Sequence, residues 1–92
     1  MALTIKENNG VFFAEGTLNT STAKNFQSHL EFILNSYNML TINIDNIEEI
    51  DASGMMALRA LYTNALINNR SFYVLGDGCK EIYDDFRYTN VA

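Results

Sequence analysis

The sequence has no proline, no tryptophan and one cysteine in 92 residues. A single cysteine excludes a disulfide within the chain and any CxxC redox or zinc motif. Cations are also scarce: 6 Lys and Arg stand against 11 Asp and Glu, a net charge of −5. That balance argues against nucleic acid or an anionic membrane surface as partner, because binding phosphates requires a cationic footprint. No apolar run approaches the roughly 20 residues of a membrane span. The stretch Met1–Glu7 is polar by its sixth residue and does not read as a signal peptide. Walker and GxSxG sequences are absent, and Gly76-Asp77-Gly78 is too short for a phosphate-cradling loop. The apolar content of 48% suffices for one core. Residues 1–92 are therefore expected to form one small, acidic, soluble and cytoplasmic domain without a cofactor.

Twelve asparagines punctuate what is present. Leu3-Thr4-Ile5 alternates like a strand and stops at Asn8-Asn9-Gly10, a hairpin turn signal, before Val11-Phe12-Phe13-Ala14. Thr20-Ser21-Thr22 offers N-cap oxygens to a helix in which Ala23, Phe26, Leu30 and Ile33 share a face. That helix runs out near Ser36-Tyr37-Asn38. Met39 to Ile44 alternates as a strand, and Ile47 and Ile50 continue the apolar spacing towards Asp51. A second helix after Ser53-Gly54 has an expected buried stripe of Leu58, Leu61, Tyr62, Ala65 and Leu66, closed by Asn68-Asn69. Phe72 to Leu75 suits a buried strand. Asp77 is placed to cap a last helix sharing Ile82 and Phe86 on one face. The order β-β-α-β-α-β-α predicts an α/β fold: a small mixed sheet, with an N-terminal hairpin followed by mainly parallel strands and helices packed on it. The expected core is Phe26, Leu30, Ile42, Ile44, Leu58, Leu61, Leu66, Val74 and Ile82.

Ile50-Asp51-Ala52-Ser53-Gly54-Met55-Met56 is the most informative segment. It carries the chain from a strand end into a helix N-terminus, where unpaired N–H groups favour negative charge. Ser53 is placed to cap the helix, and Gly54 to permit close helix–sheet packing. The same strand-to-helix turn is also where α/β folds place binding loops, so a docking or phosphorylation role stays open beside the structural one. His29 has no neighbour that would form a triad or a metal site and reads as a surface residue. Cys79 has no nearby base. Glu48, Glu49 and Asp51, and the pair Asp84-Asp85, lack the spacing of a cation site and read as solvated faces. No catalytic constellation is visible.

Three stretches together resemble the STAS domain shared by anti-anti-sigma factors and the cytoplasmic tails of sulfate transporters. Gly16-Thr17-Leu18-Asn19-Thr20-Ser21-Thr22-Ala23 is similar to the family's G-x-L-D-x-x-T-A. Leu40–Ile44 followed by Ile50-Asp51-Ala52-Ser53-Gly54-Met55 resembles its strand and D-S-S-G-L, and Phe72–Gly76 its next strand. The resemblance spans about residues 3–88. Asn19 and Asn43 stand where the family commonly has Asp. Ala52 occupies the position of the Ser or Thr phosphorylated in anti-anti-sigma factors, and Ser53 matches the second Ser of the motif.

The resemblance implies a non-enzymatic interaction module of the anti-sigma factor antagonist kind. Its partner would be an anti-sigma factor or a related kinase-like regulatory protein in bacterial transcription signalling. The expected docking surface is Asn19, Thr20 and Ser21 with Asp51, Ala52, Ser53, Gly54, Met55 and Met56. Met55 and Met56 suit it because thioethers adapt to a partner's surface. Ser53, which is not the family's usual acceptor, is the one candidate for a substitute phosphorylation site, and Ala52 favours a constitutive binder over a switched one. Two alternatives stay open: a small cytoplasmic subunit of a lipid- or anion-transport complex, and a nucleotide- or anion-binding domain using the helix N-terminus at Ser53-Gly54.

Overall fold

The computed structural model describes residues 3–76. The predicted final helix with Ile82 and Phe86, Cys79 and the Asp84-Asp85 pair lie outside the described residues. Six elements follow one another: β1 (Leu3–Asn8), β2 (Val11–Leu18), α1 (Ala23–Tyr37), β3 (Met39–Ile50), α2 (Ala52–Ile67) and β4 (Ser71–Leu75). The sheet order is β1-β2-β3-β4, with β1 antiparallel to β2 and the other two pairs parallel. This is the mixed sheet expected from the sequence. The hairpin turns at Asn9 (φ 53°) and Gly10 (φ 85°). Two successive positive φ angles give the turn whose twist matches the flanking strands. The Gly10 N–H also donates to Glu7 Oε2 at 2.7 Å.

Strand register gathers the core on one face. Phe12 lies opposite Ile42, which lies opposite Val74; Leu40 faces Phe72 and Ile5 faces Ala14. Against this face pack α1, through Ala23, Phe26, Leu30 and Leu34, and α2, through Ala57, Leu58, Leu61 and Ala65. Phe26, Leu30, Ile42, Ile44, Leu58 and Leu61 are fully buried, as expected, and Val74 is half-buried. Leu66 departs from expectation and is 69% exposed. Leu61, Leu58 and Ala65 already define the buried arc of α2, and Leu66 falls one residue past it, about 100° further round the helix. The apolar spacing of β3 stretches from two to three after Ile44. The reason is two register shifts in which β3 advances one residue more than β2, between Phe13/Glu15 and between Gly16/Thr17. Such bulges move Ile47 back onto the buried face.

The opposite ends of the helices share one cation. Neither helix carries a basic residue in its last turn. Arg70 supplies it for both, donating through Nε to Asn38 Oδ1 and through Nη1 to Asn64 Oδ1, each at 3.1 Å. Asn38 and Asn69 take the left-handed conformation (φ 60° and 56°) that ends a helix. The Arg70 N–H closes α2 on Ala65 O at 2.8 Å. A cation at two helix C-termini is doubly favourable.

Truncation of Leu61 to Ala should cost about 2–5 kcal/mol, whereas Leu66→Ala should stay within about 0.5 kcal/mol of the parent. Chemical denaturation of the two variants checks both values, and equal midpoints would contradict the packing described.

Candidate functional site

The carboxyl ends of β2 and β3 lie side by side, with Leu18 opposite Ile50. The chain leaves each of them for a helix at the same level. Residues 19–22 lead into α1, and Asp51 leads directly into α2. The Asp51 N–H donates to Leu18 O at 3.2 Å, extending the ladder by one bond into the turn.

The N-cap of α2 is Asp51 and not Ser53. Helix α2 begins at Ala52, so the capping position falls two residues before Ser53. Asp51 Oδ1 accepts from the Gly54 N–H at 3.0 Å. Its other oxygen, Oδ2, accepts from the Thr20 N–H at 3.2 Å and from Thr20 Oγ1 at 3.4 Å. One carboxylate thus caps a helix and holds the neighbouring loop. Ser53, released from capping, places Oγ 3.2 Å from Thr20 Oγ1. Of the segment Asn19, Thr20 and Ser21, Thr20 thus contacts the Asp51 turn.

The loop has its own internal order. Asn19 Oδ1 accepts from the Ser21 N–H at 2.9 Å. Thr22, the N-cap of α1, makes no side-chain bond to the helix. Instead its Oγ1 accepts from the Asn19 N–H and donates to Thr17 O, both at 2.9 Å. The Thr22 hydroxyl, expected among the caps of α1, braces the loop instead.

Gly54 is buried beneath this surface and offers no contact of its own. A Cβ built there would lie 2.5 Å from Leu18 O, 2.7 Å from Ile50 Cγ1 and 2.8 Å from Leu18 Cγ. The missing side chain is what lets the first turn of α2 close on the end of β2. The two methionines also differ. Met55 is half-buried and packs against the core, whereas Met56 is 68% exposed. Thr20, Ser21, Asp51 and Ala52 are exposed, and Asn19 and Ser53 are half-buried. His29 is on the surface of α1. Among the described residues no cluster of His, Cys, Asp or Glu has a metal-binding arrangement. No described helix is long and apolar enough to cross a membrane.

Hydrogen bonds from the Gly54 N–H, opposed by desolvation and aided by the N–H groups of Thr20 and Ser53 and by the Thr20 hydroxyl, hold the Asp51 carboxyl below its ordinary value of 3.8. A depressed folded-state pKa stabilises the fold above the unfolded value, and that stability is lost as pH falls through the folded pKa. An NMR titration should therefore find the Asp51 carboxyl midpoint below that of a free aspartate. The Thr20 amide signal should move with the same midpoint, and Asp51→Asn should abolish that coupled shift. Two further variants test the packing. Gly54→Ala should destabilise by about 1–3 kcal/mol through overpacking, despite alanine's advantage of about 1 kcal/mol in a helix interior. Ala60→Gly, on the half-buried side of α2, should show only that propensity loss.

Comparison with known proteins places this geometry. No curated protein matches the chain. Among solved structures, an anti-sigma factor antagonist from Mycobacterium paratuberculosis aligns with a TM-score of 0.69 at 18% identity, covering 97% of this chain and 77% of that one. The anti-sigma factor antagonist SpoIIAA in its unphosphorylated form gives 0.60 at 9% identity, covering 97% and 99%. A protein named Mglu gives 0.63 at 12% identity over 80% of this chain, which spans only 19% of that larger one. At these identities the structures share the fold. The STAS domain family model matches residues 1–78, a stretch that contains every element described above and the whole Asn19–Met56 cluster, and the chain belongs to the STAS domain family.

Proposed function

We propose that this chain is a non-enzymatic protein-interaction module that docks on a regulatory protein of the anti-sigma factor or kinase-like class. The docking surface is the Asn19–Ser21 loop with Asp51, Ala52, Ser53, Met55 and Met56. The observation that carries the reading is the Asp51 clasp. A single carboxylate fixes the loop and the first turn of α2 to one another, so the two segments form one ordered surface. Preordering matters because immobilising loops at an interface otherwise costs affinity. Met56 stands exposed at the edge of that surface, free of any role in the core.

Two features support constitutive binding. Ala52 has no hydroxyl at the position that the family resemblance marks as the acceptor. Ser53 Oγ is engaged with Thr20 Oγ1, and a phosphate there would add about −1.5 to −2 charges next to Asp51. The anion-binding alternative loses support for a related reason. The Asp51 carboxylate already occupies the Gly54 N–H, setting a negative charge where a bound phosphate would sit. The identity of the captured partner separates the transport-complex alternative from this reading.

Met56→Arg should leave stability within about 0.5 kcal/mol of the parent, as expected for an exposed position, while releasing the partner in affinity capture from native cells. Met55→Arg is the less informative variant, because Met55 also packs against the core. Retention of every partner by a folded Met56→Arg protein would contradict the reading. Intact-mass analysis with peptide mapping across residues 50–59 should find Ser53 unmodified. A substantial phosphorylated fraction there would replace the constitutive reading with a switched one.

A further inference from the structure

We propose that the open edge of β1 is a self-association surface, at which a second copy of this chain pairs antiparallel about Ile5 and joins the two sheets into one. The inference is independent of the docking reading above.

Strand β1 lies at the edge of the sheet, and among the described residues β2 is its one neighbour. The hairpin turn fixes which of its backbone groups are left over. In a two-residue turn the flanking residues, here Asn8 and Val11, share the closing hydrogen bond. Every second residue of an antiparallel ladder then bonds to the same neighbour. The register runs from Asn8 to Leu3 without a shift. Asn8, Lys6 and Thr4 therefore turn their N–H and C=O groups to β2, and Glu7, Ile5 and Leu3 turn theirs outwards. Such a row is a template for another strand. Neither a proline nor a bulge blunts it.

Self-pairing satisfies this row in one register. Centred on Ile5, a two-fold axis sets Ile5 opposite the second copy's Ile5, and Leu3 opposite its Glu7 on both sides of the centre. All three outward residues of each strand then fall in hydrogen-bonded pairs, which gives six backbone bonds. Centring on Thr4 or Lys6 leaves only two such pairs within the strands, and the second choice also sets Lys6 against Lys6. A centre between two residues would oppose outward residues to ones whose backbone is already bonded to β2.

Charge fits the same register. Leu3 and Ile5 pack towards the core, so Thr4 and Lys6 lie on the sheet face away from the helices. Pairing about Ile5 places the second copy's Lys6 opposite Thr4, which itself lies opposite Glu15 in β2. Thr4 and Glu15 line an open cleft with Asp45 and Glu48. Each Lys6, the only cation in β1 and β2, thus meets the acidic cleft of the other copy. Two strand spacings, roughly 10 Å, separate the backbones of that Lys6 and Glu15, within the combined reach of their side chains. Lys6, Thr4 and Glu15 are all exposed. A strand of unrelated sequence would meet the same backbone row without this reciprocal match. A second copy supplies both.

Sedimentation of the full chain over a wide range of concentrations tests the proposal. A six-residue edge is small for an interface, so the dimer fraction should rise with concentration across the range. Ile5→Pro removes an outward N–H without touching the bonds to β2, a position where an edge strand tolerates proline, and should leave the chain monomeric throughout. Lys6→Glu should lower the dimer fraction several-fold, and Lys6→Glu/Glu15→Lys should restore it. Circular dichroism checks that each variant is folded; if Ile5→Pro is not, the charge exchange at the two exposed positions decides. A wild-type chain that stays monomeric at every concentration overturns the inference. So does a folded Ile5→Pro protein that still dimerises, a dimer that Lys6→Glu leaves unchanged, or a loss that Glu15→Lys does not restore.

Discussion

The closure of α2 on the end of β2 depends on an absence, the missing Cβ at Gly54. With Leu18 O only 2.5 Å from where that atom would be, no other residue permits the same approach. The rest of the site follows from that contact. A single residue separates β3 from α2, so that residue, the capping Asp51, lies at the level of the β2–α1 loop. From there its second oxygen reaches Thr20. Buried helix packing and an exposed polar cluster are thus two aspects of one close contact. The site's geometry is inherited from the core.

The two ends of the sheet solve the same problem with opposite chemistry. At the carboxyl ends of β2 and β3 the Asp51 carboxylate caps the N-terminus of α2 and holds the loop that leads into α1. At the other end the C-termini of α1 and α2 gather, and Arg70 meets both through the side-chain oxygens of Asn38 and Asn64. Opposite charges therefore sit at the two poles of a helix pair whose dipoles point the same way. The asparagines contribute where side-chain amides bridge and where left-handed backbone is needed, as at Asn38 and Asn69.

The sequence shows the architecture because its periodicities are clean. Strict alternation from Leu40 to Ile44, the three-four spacing in α1 and the Asn-Gly turn each report a single local geometry. It shows less wherever geometry arises between elements. The three-residue spacing of Ile44, Ile47 and Ile50 looks like a fading strand, but it records bulges that exist only relative to β2. Ser53 looks like a cap because serine is a good one. That Asp51 takes the role depends on where β3 ends, which pattern alone locates to within a residue or two. The adjacent Met55 and Met56 are chemically identical, and only the rotation of α2 separates the one that packs from the one that faces water. Arg70, isolated in sequence, could have been found only from its place just after Asn68-Asn69, where a helix C-terminus welcomes a cation.

Strand order in the sheet is also strand order in the chain, and that bears on how the domain is reached from the unfolded state. Each strand pairs with the one made just before it, so no pairing has to wait for a distant segment to be threaded between two others. Loop closure then extends over one helix at a time, and its entropic cost grows only slowly with loop length. With no proline in the chain, there is also no prolyl isomerisation to split refolding into fast and slow populations. The hairpin and its first parallel neighbour can assemble as a growing edge, and each helix locks the strand on which it lands.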